Sequence, residues 1–160
     1  MNALDDLKLR LKIDPGSYNA EWEIVSSVLE QYASESHDIL RWLLAEHNGY
    51  VDTRSRAGEA YYQLDESDAW TILSQLNRSS DPDDRDTALA VASSIGGRRA
   101  ANLVKHLLND PYPYIQLEAA EFLAADFPND VRICLQQLTK NNTQWIRDAA
   151  NDLILQLAKS

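Results

Sequence analysis

The chain has little of what metal-binding, secreted and membrane proteins depend on. It contains one cysteine, Cys134, so no disulfide can form within the chain. Its histidines, His37, His47 and His106, do not show the spacing of a metal site. No apolar run approaches the roughly 18 residues of a membrane span, and no signal-peptide pattern opens the chain. We therefore expect a soluble cytoplasmic protein with no bound metal, no cofactor and no membrane association.

Motifs of catalysis are also missing. Gly96-Gly97 is not followed by the Lys-Ser/Thr of a phosphate-binding loop, and no nucleophile motif is present. Carboxylates at helix starts are plentiful, but nothing in the sequence pairs two of them for acid–base chemistry. The sequence therefore predicts no catalytic residues and a protein that is not an enzyme.

Basic residues are scarce. Fifteen Lys and Arg stand against 25 Asp and Glu, which gives a net charge of −10 and a pI near 4.6. Binding of duplex DNA requires the neutralisation of many phosphates, so nucleic acid is not the favoured partner. A second protein, of basic character, suits this charge better. An alternative stays open: acids near helix N-termini also complement the helix dipole and keep a protein in solution.

What the chain does have is a repeat of 31 residues. Arginine recurs at this step with one glutamine in the series, and an alanine follows three residues after each. Self-similarity at a period of 20–50 residues indicates one supersecondary unit stacked on copies of itself. The two series are Arg54, Arg85, Gln116 and Arg147, then Ala57, Ala88, Ala119 and Ala150.

Each unit is predicted to contain two helices. Asp81-Pro82 is typical of a helix start, and Gly96-Gly97 is typical of a helix end. A second helix follows from about Arg98. Cys134 shares its place in the period with Ile72 and Leu103, which predicts a core residue rather than a nucleophile.

The pattern resembles the HEAT-repeat family, most clearly over residues 80–158. The resemblance implies an all-α fold, an α-α superhelix of about 4–5 helix pairs in a single domain over residues 1–160. Clearer repeats cover residues 50–158, and residues 18–48 form a degenerate first unit. An ordinary helical bundle with a chance period is the alternative. The matching residues are Asp81, Pro82, Arg85, Ala88 and Ala92, then Asp110, Pro111, Ile115, Ala119 and Leu123, then Ile146, Arg147, Ala150 and Ile154, with a weaker copy at Arg54, Ala57 and Tyr61.

The N-terminal segment allows two predictions. Leu4, Leu7 and Leu11 fit one face of a helix, whereas residues 7–13 alternate strictly between apolar and basic residues, as a strand does. A short capping helix is favoured, because a lone strand would have no partner in this fold. A strand would instead make the sheet edge of another protein a plausible docking site.

The HEAT-like family includes scaffolds, transport receptors, lyase subunits and inhibitors, so the resemblance leaves the function open. With small size and acidity, it suggests an immunity or antitoxin-type protein that occludes a basic toxin, such as a nuclease. One alternative is an adaptor or assembly factor, like the HEAT-repeat partners of bilin lyases. A second alternative, from another class, is a HEAT-like DNA glycosylase acting through a small basic strip near Arg98 and Arg99.

Candidate contact residues fall into two sets. The resemblance implies that second helices line a groove, which the sequence predicts to be neutral to mildly basic, with His37 and Arg41 added and no acid present. Trp70 stands out there, because exposed aromatics beside arginine are typical interface anchors; a Trp lying flat over a repeat junction is the alternative. The groove candidates are Trp70, Lys105, Arg132 and Gln136, and the outer candidates are Asp83, Asp84, Asp86 and Glu118 with the aromatic edge of Tyr114 and Trp145.

Overall fold

The computed structural model describes residues 1–159 and has an all-α, repeat-like fold. No strand occurs in that range. The chain divides into two compact units, Met1–Val91 and a second that begins at Ala92, and the boundary falls within one helix. The ten α-helices are α1 Ala3–Arg10, α2 Tyr18–Gln31, α3 Ser36–Ala45, α4 Val51–Leu64, α5 Glu66–Leu76, α6 Pro82–Ile95, α7 Gly97–Val104, α8 Pro113–Leu123, α9 Pro128–Leu138 and α10 Gln144–Leu157.

The N-terminal segment is a helix, so the strand alternative is wrong. The side chain of Asn2 caps α1 by accepting a hydrogen bond from the Asp5 N–H at 2.8 Å. Leu7 is fully buried, while Leu9 is about half exposed. Arg10 donates to Asp6 at 2.7 Å, and this hydrogen bond lowers the pKa of the Asp6 carboxyl. The alternation over residues 7–13 has no counterpart in burial, because Leu9 is half exposed and Ile13, beyond the end of α1, is 80% exposed.

Prolines and glycines set several helix limits, of which the sequence predicts those at Pro82 and at Gly96-Gly97; α8 begins at Pro113 and not at the Asp110-Pro111 pair. Pro82, Pro113 and Pro128 each stand at the first helical position, where the missing N–H is not needed. Gly96 and Gly97 separate α6 from α7 with φ values of 71° and 80°, the left-handed region that glycine adopts without steric cost. The end of the predicted second helix tightens into a 3-10 segment, Lys105–Asn109.

The repeated alanines lie in the core. Ala57, Ala88, Ala119 and Ala150 are all fully buried. Small residues allow neighbouring helices to approach closely, and this is the packing reason for the series. Around them lie larger core residues at the predicted period, among them Ile72, Leu73, Leu107, Leu135 and Leu138.

The arginine series makes one recurring contact. Arg85 Nη1 donates to the Ser79 carbonyl at 2.9 Å, and Arg147 Nη1 donates to the Asn141 carbonyl at 2.7 Å. Gln116 Nε2 makes the same bond to the Asp110 carbonyl at 2.7 Å, which explains why glutamine can replace arginine here. Arg54 instead reaches the Leu44 carbonyl at 3.1 Å. Each side chain thus satisfies a carbonyl left over at the end of the preceding helix or loop.

Candidate functional site

The predicted Asp83, Asp84 and Asp86 group is not three equivalent surface acids. Asp83 is exposed. Asp84 forms an ion pair with the buried Arg54, Nη2 to Oδ1 at 2.7 Å, and also accepts a hydrogen bond from Ser79 Oγ at 2.6 Å. The prediction that Asp84 is available to a partner is therefore wrong, because its carboxylate compensates a buried guanidinium. Asp86 is half-buried.

Helix α4 adds two acids that the sequence analysis missed. Asp52 and Glu59 are exposed on this helix. Counted by sequence, α4 looks neutral, because Arg54 and Arg56 cancel them. In the structure Arg54 is 3% exposed and no longer offsets them at the surface. Arg56 stays exposed beside Asp52 and Glu59, with its guanidinium 4.3 Å from the centre of the Trp22 ring. The helical positions alone would have identified the two acids, since Arg54 belongs to the buried arginine series.

Asp52 and Asp83 occupy the same position of the 31-residue period, on α4 and α6. The Arg54–Asp84 ion pair and the packing of Gly58 against Val91 join these two helices within the first unit. We call Asp52, Glu59 and Asp83 the α4–α6 acidic surface. No described residue forms an ion pair with any of the three, although the Asp83 backbone N–H donates to Asp81 Oδ1 at 3.0 Å.

Trp70 is not an exposed anchor. Its residue surface is 7% exposed, and its ring packs edge-to-face against Tyr62 at 5.8 Å. The indole N–H donates to Glu66 Oε1 at 3.2 Å. The prediction of a groove-facing aromatic is wrong, because α5 turns this position toward neighbouring side chains and the polar tip of the Trp finds a carboxylate.

The predicted groove is also not free of acidic side chains. Arg41 Nε donates to Asp68 Oδ2 at 2.8 Å, and the Tyr61 hydroxyl donates to the same oxygen at 2.9 Å. His37 Nε2 lies 3.2 Å from the Tyr61 oxygen and 3.5 Å from Asp65 Oδ2. Arg41 is thus neutralised within the first unit. Burial, followed by the bond to Asp68, raises the pKa of Tyr61 to about 12.

In the second unit the three remaining groove candidates differ from one another. Lys105 Nζ lies 3.1 Å from Asp130 Oδ2 and 4.4 Å from the centre of the Phe127 ring. Arg132 and Gln136 are exposed and line one cleft of about 440 Å³, whose remaining walls are mainly apolar. Ala101 and Leu108, which occupy the same positions of the period as Trp70 and Asn77, are buried. A continuous basic strip therefore does not form, since Arg98 is also paired, with Asp126 at 3.0 Å.

The outer candidates of the second unit differ in exposure. Trp145 is 57% exposed, and Glu118 is exposed. Tyr114 is half-buried and contacts the exposed ring of Tyr112, with 6.0 Å between ring centres. Tyr114 and Trp145 lie at the positions of the 31-residue period that Asp52 and Asp83 occupy in the first unit.

Metal, thiol and membrane chemistry can be examined over residues 1–159. No three His, Cys, Asp or Glu side chains in that range converge to hold a metal ion. Cys134 is buried, and burial raises the pKa of its thiol to about 11, as befits the predicted core position. None of the helices described is both long and apolar enough to cross a membrane.

Comparison of the chain with models of protein families, with curated proteins and with solved structures finds no significant match.

Proposed function

We propose that the chain is a non-catalytic protein-binding module that holds a basic protein partner. In its most specific form it is an immunity or antitoxin-type inhibitor that occludes a basic toxin, for which a nuclease is the leading candidate. The observation that supports this is the α4–α6 acidic surface, three exposed carboxylates without a compensating ion pair in the described chain. We also propose that the helix pairs are HEAT-like repeats, which the recurring bond from Arg or Gln to a carbonyl supports.

The proposal rests on which charges form ion pairs as well as on the net charge. Among the described residues, the cations that form ion pairs with carboxylates include Arg10, Arg41, Arg54, Arg98 and Lys105. The exposed charges on α4 and α6 that have no ion pair with a described residue are Asp52, Glu59 and Asp83 together with Arg56, and their sum is negative. Exposed charges of one sign accelerate encounter with a partner of opposite sign, and salt screens this effect over about 10 Å.

Burial of Trp70 weakens the adaptor alternative, which relied on this side chain as the anchor of a groove. The paired cations Arg98 and Lys105 likewise weaken the glycosylase alternative, because fewer positive charges remain for phosphates. A basic protein remains the partner best suited to the surface.

The experiment is capture of a partner followed by kinetics. The immobilised chain is exposed to a native, nuclease-treated extract of its source cells at low salt, and bound protein is identified by mass spectrometry. We expect a stoichiometric basic protein that is released as salt rises. Recovery of nucleic acid alone in a parallel untreated extract, or of an acidic protein, would contradict the proposal.

The identified partner then allows a matched comparison of two triple variants. One carries Asp52→Asn, Glu59→Gln and Asp83→Asn; the control carries Asp5→Asn, Glu23→Gln and Glu30→Gln, three exposed acids on α1 and α2. Both lose the same charge. The α4–α6 variant should associate roughly tenfold more slowly at low salt, whereas the control should change much less. Equal association rates for the two variants would refute a local acidic surface.

A further inference from the structure

The first unit contains a cleft of about 610 Å³ that the acidic surface does not account for, although Asp83 lies at its border. The segment between α1 and α2 forms one wall, and the loop between α3 and α4 forms another. The polar residues that line it are Lys12, Asp14, Glu21, His47, Asn48, Tyr50 and Asp83.

Two of these side chains are buried although they line an open cleft. Glu21 is 3% exposed and His47 is 9% exposed. Glu21 Oε1 accepts a hydrogen bond from the Tyr50 N–H at 3.1 Å, and His47 Nε2 lies 3.3 Å from the same oxygen. The geometry of that second approach is not that of a hydrogen bond, and Nε2 has no hydrogen-bond partner among the described residues.

The carboxylate of Glu21 therefore has acceptor capacity that the chain does not use. An ionised carboxylate accepts hydrogen bonds at about four lone-pair sites, and Glu21 receives one backbone hydrogen bond in the described structure. Burial of a charge is costly unless the charge is paired and hydrogen-bonded. A donor that enters the cleft would supply what the chain does not.

Gly49 keeps this pair accessible. A Cβ atom at this position would run into both the His47 ring nitrogen and the Glu21 carboxylate oxygens. Its backbone does not require glycine, since its φ lies outside the left-handed region. Space is thus the reason for glycine here, since alanine would displace the side chains of Glu21 and His47.

The charge of the cleft favours a cationic occupant. Besides Glu21, Asp14 and Asp83 line it and are exposed at its border, against a single lysine, Lys12. A guanidinium group suits the site better than an ammonium group. It presents donors in a planar fork that matches a carboxylate, it is more weakly hydrated, and it stacks on aromatic faces such as that of Tyr50.

We propose that this cleft receives an arginine side chain of the basic partner, with its guanidinium donating to Glu21. The inference rests on the proposed function, because it names the group by which that partner is anchored. Asp14 and Asp83 attract the cation, Glu21 pairs with it, and the absence of a side chain at Gly49 admits it.

The test uses the whole protein and a probe small enough to report on the cleft alone. The ¹⁵N-labelled chain is titrated with N-acetyl-arginine amide, and backbone amide shifts are followed by NMR. We expect saturable shifts at Glu21 and His47–Val51, with a dissociation constant on the order of millimolar. N-acetyl-citrulline amide, which has nearly the same shape without the charge, should give shifts at least tenfold weaker. Equal responses to the two probes, or no saturable response, would overturn the proposal.

Two variants keep the test specific. Gly49→Ala should abolish the saturable shifts by displacing the Glu21 carboxylate, and Glu21→Gln should weaken binding at least tenfold. Gly97→Ala, a glycine in the second unit, is the control and should leave binding unchanged. Asp83→Asn provides a further variant if Glu21→Gln fails to fold, and it should weaken binding a few-fold. Undiminished binding by folded Gly49→Ala would exclude the cleft.

The two proposals fail separately. If a basic protein is captured but the arginine probe does not bind, the partner docks elsewhere and only the cleft inference is lost. If the probe binds but no basic protein is captured, the cleft recognises guanidinium and the proposed function is lost.

Discussion

The two units share a repeat but differ in what they bury. In the first, the buried polar residues include Asp6, Glu21, His47, Arg54 and Arg85, whereas in the described part of the second unit the buried polar residue is Asp110. The second unit instead exposes aromatic and aliphatic side chains, among them Trp145 and Leu155. Buried polar groups are costly, and they are retained where they specify a structure or serve a site.

The contrast is sharpest at equivalent positions of the period. Arg54 is buried and binds both Asp84 and the Leu44 carbonyl, while Gln116 holds a single carbonyl. The same slot in the repeat thus carries a buried ion pair at Arg54 and a neutral hydrogen bond at Gln116. The repeat determines the direction in which each side chain points. The residue type at each position of the period determines whether that position is polar or apolar.

The largest expected effect separates two tryptophans. Trp70→Ala removes a buried ring and should lower the free energy of unfolding by about 3–5 kcal/mol. Trp145→Ala removes an exposed ring and should change it by less than about 0.5 kcal/mol. Urea unfolding followed by circular dichroism at 222 nm measures both. Similar costs for the two variants would contradict the difference in burial.

A second effect compares the arginine slot of the two units. Arg54→Ala leaves Asp84 and the Leu44 carbonyl without their partner and should cost about 3 kcal/mol. Gln116→Ala loses one hydrogen bond and should cost about 1 kcal/mol. The double variant Arg54→Met/Asp84→Asn should recover part of the first loss, because no uncompensated charge remains. A double variant no more stable than Arg54→Ala would show that the charge is not the cause.

Two glycines allow a comparison of two causes with smaller expected effects: steric crowding of an added Cβ and an unfavourable backbone conformation. At Gly58 a Cβ would stand 2.7 Å from a Val91 methyl group, so Gly58→Ala should cost roughly 1–3 kcal/mol by crowding. Gly97 has open space but a φ of 80°, so Gly97→Ala should cost about 1 kcal/mol. Gly97→Asn is the control and should cost less, since Asn tolerates this region. Thermal unfolding of the three variants decides whether each cause is correctly assigned.

The smallest effect depends on pH. The pKa of Tyr61 is raised to about 12 in the folded state, first by burial and then by its bond to Asp68. A raised pKa contributes stability below the unfolded value of about 10, and this contribution is lost as pH rises toward 12. At pH 7, Tyr61→Phe should be less stable than the parent by about 1 kcal/mol.

That difference should shrink between pH 10 and 12, when the parent protein loses the contribution. Urea unfolding of the two proteins at pH 7, 10 and 11 measures it. Cys134→Ser in the second unit serves as a comparison with Tyr61→Phe, because burial alone raises the pKa of that thiol to about 11. A constant difference between parent and Tyr61→Phe over this range would contradict the account of Tyr61.

Much of the fold could be predicted because its causes are local. Asp81-Pro82 and Gly96-Gly97 limit α6 through backbone preferences that each residue carries by itself. The buried alanine series follows from the period of the apolar face. The α1 helix was harder to predict, since its apolar residues fit both the period of a helix and the alternation of a strand.

The candidate sites were harder to predict, because they depend on contacts between distant segments. The net charge summed along α4 concealed the exposed acids Asp52 and Glu59, because the sequence does not show that Arg54 is buried. Asp84 looked equivalent to Asp83 for the same reason. Trp70 was assigned to a groove from a period that specifies helical position but not the neighbours that cover it.

The sequence by itself determined the helices, the 31-residue frame and the acidic balance, because periodicity, capping and composition act over one or two helical turns or need no structure at all. Only the tertiary structure decided which charges are paired, which aromatics are exposed and that Glu21 meets His47 beside Gly49. Those outcomes depend on how segments far apart in the chain pack, and the cost of burying each polar group is set by the neighbours that packing provides.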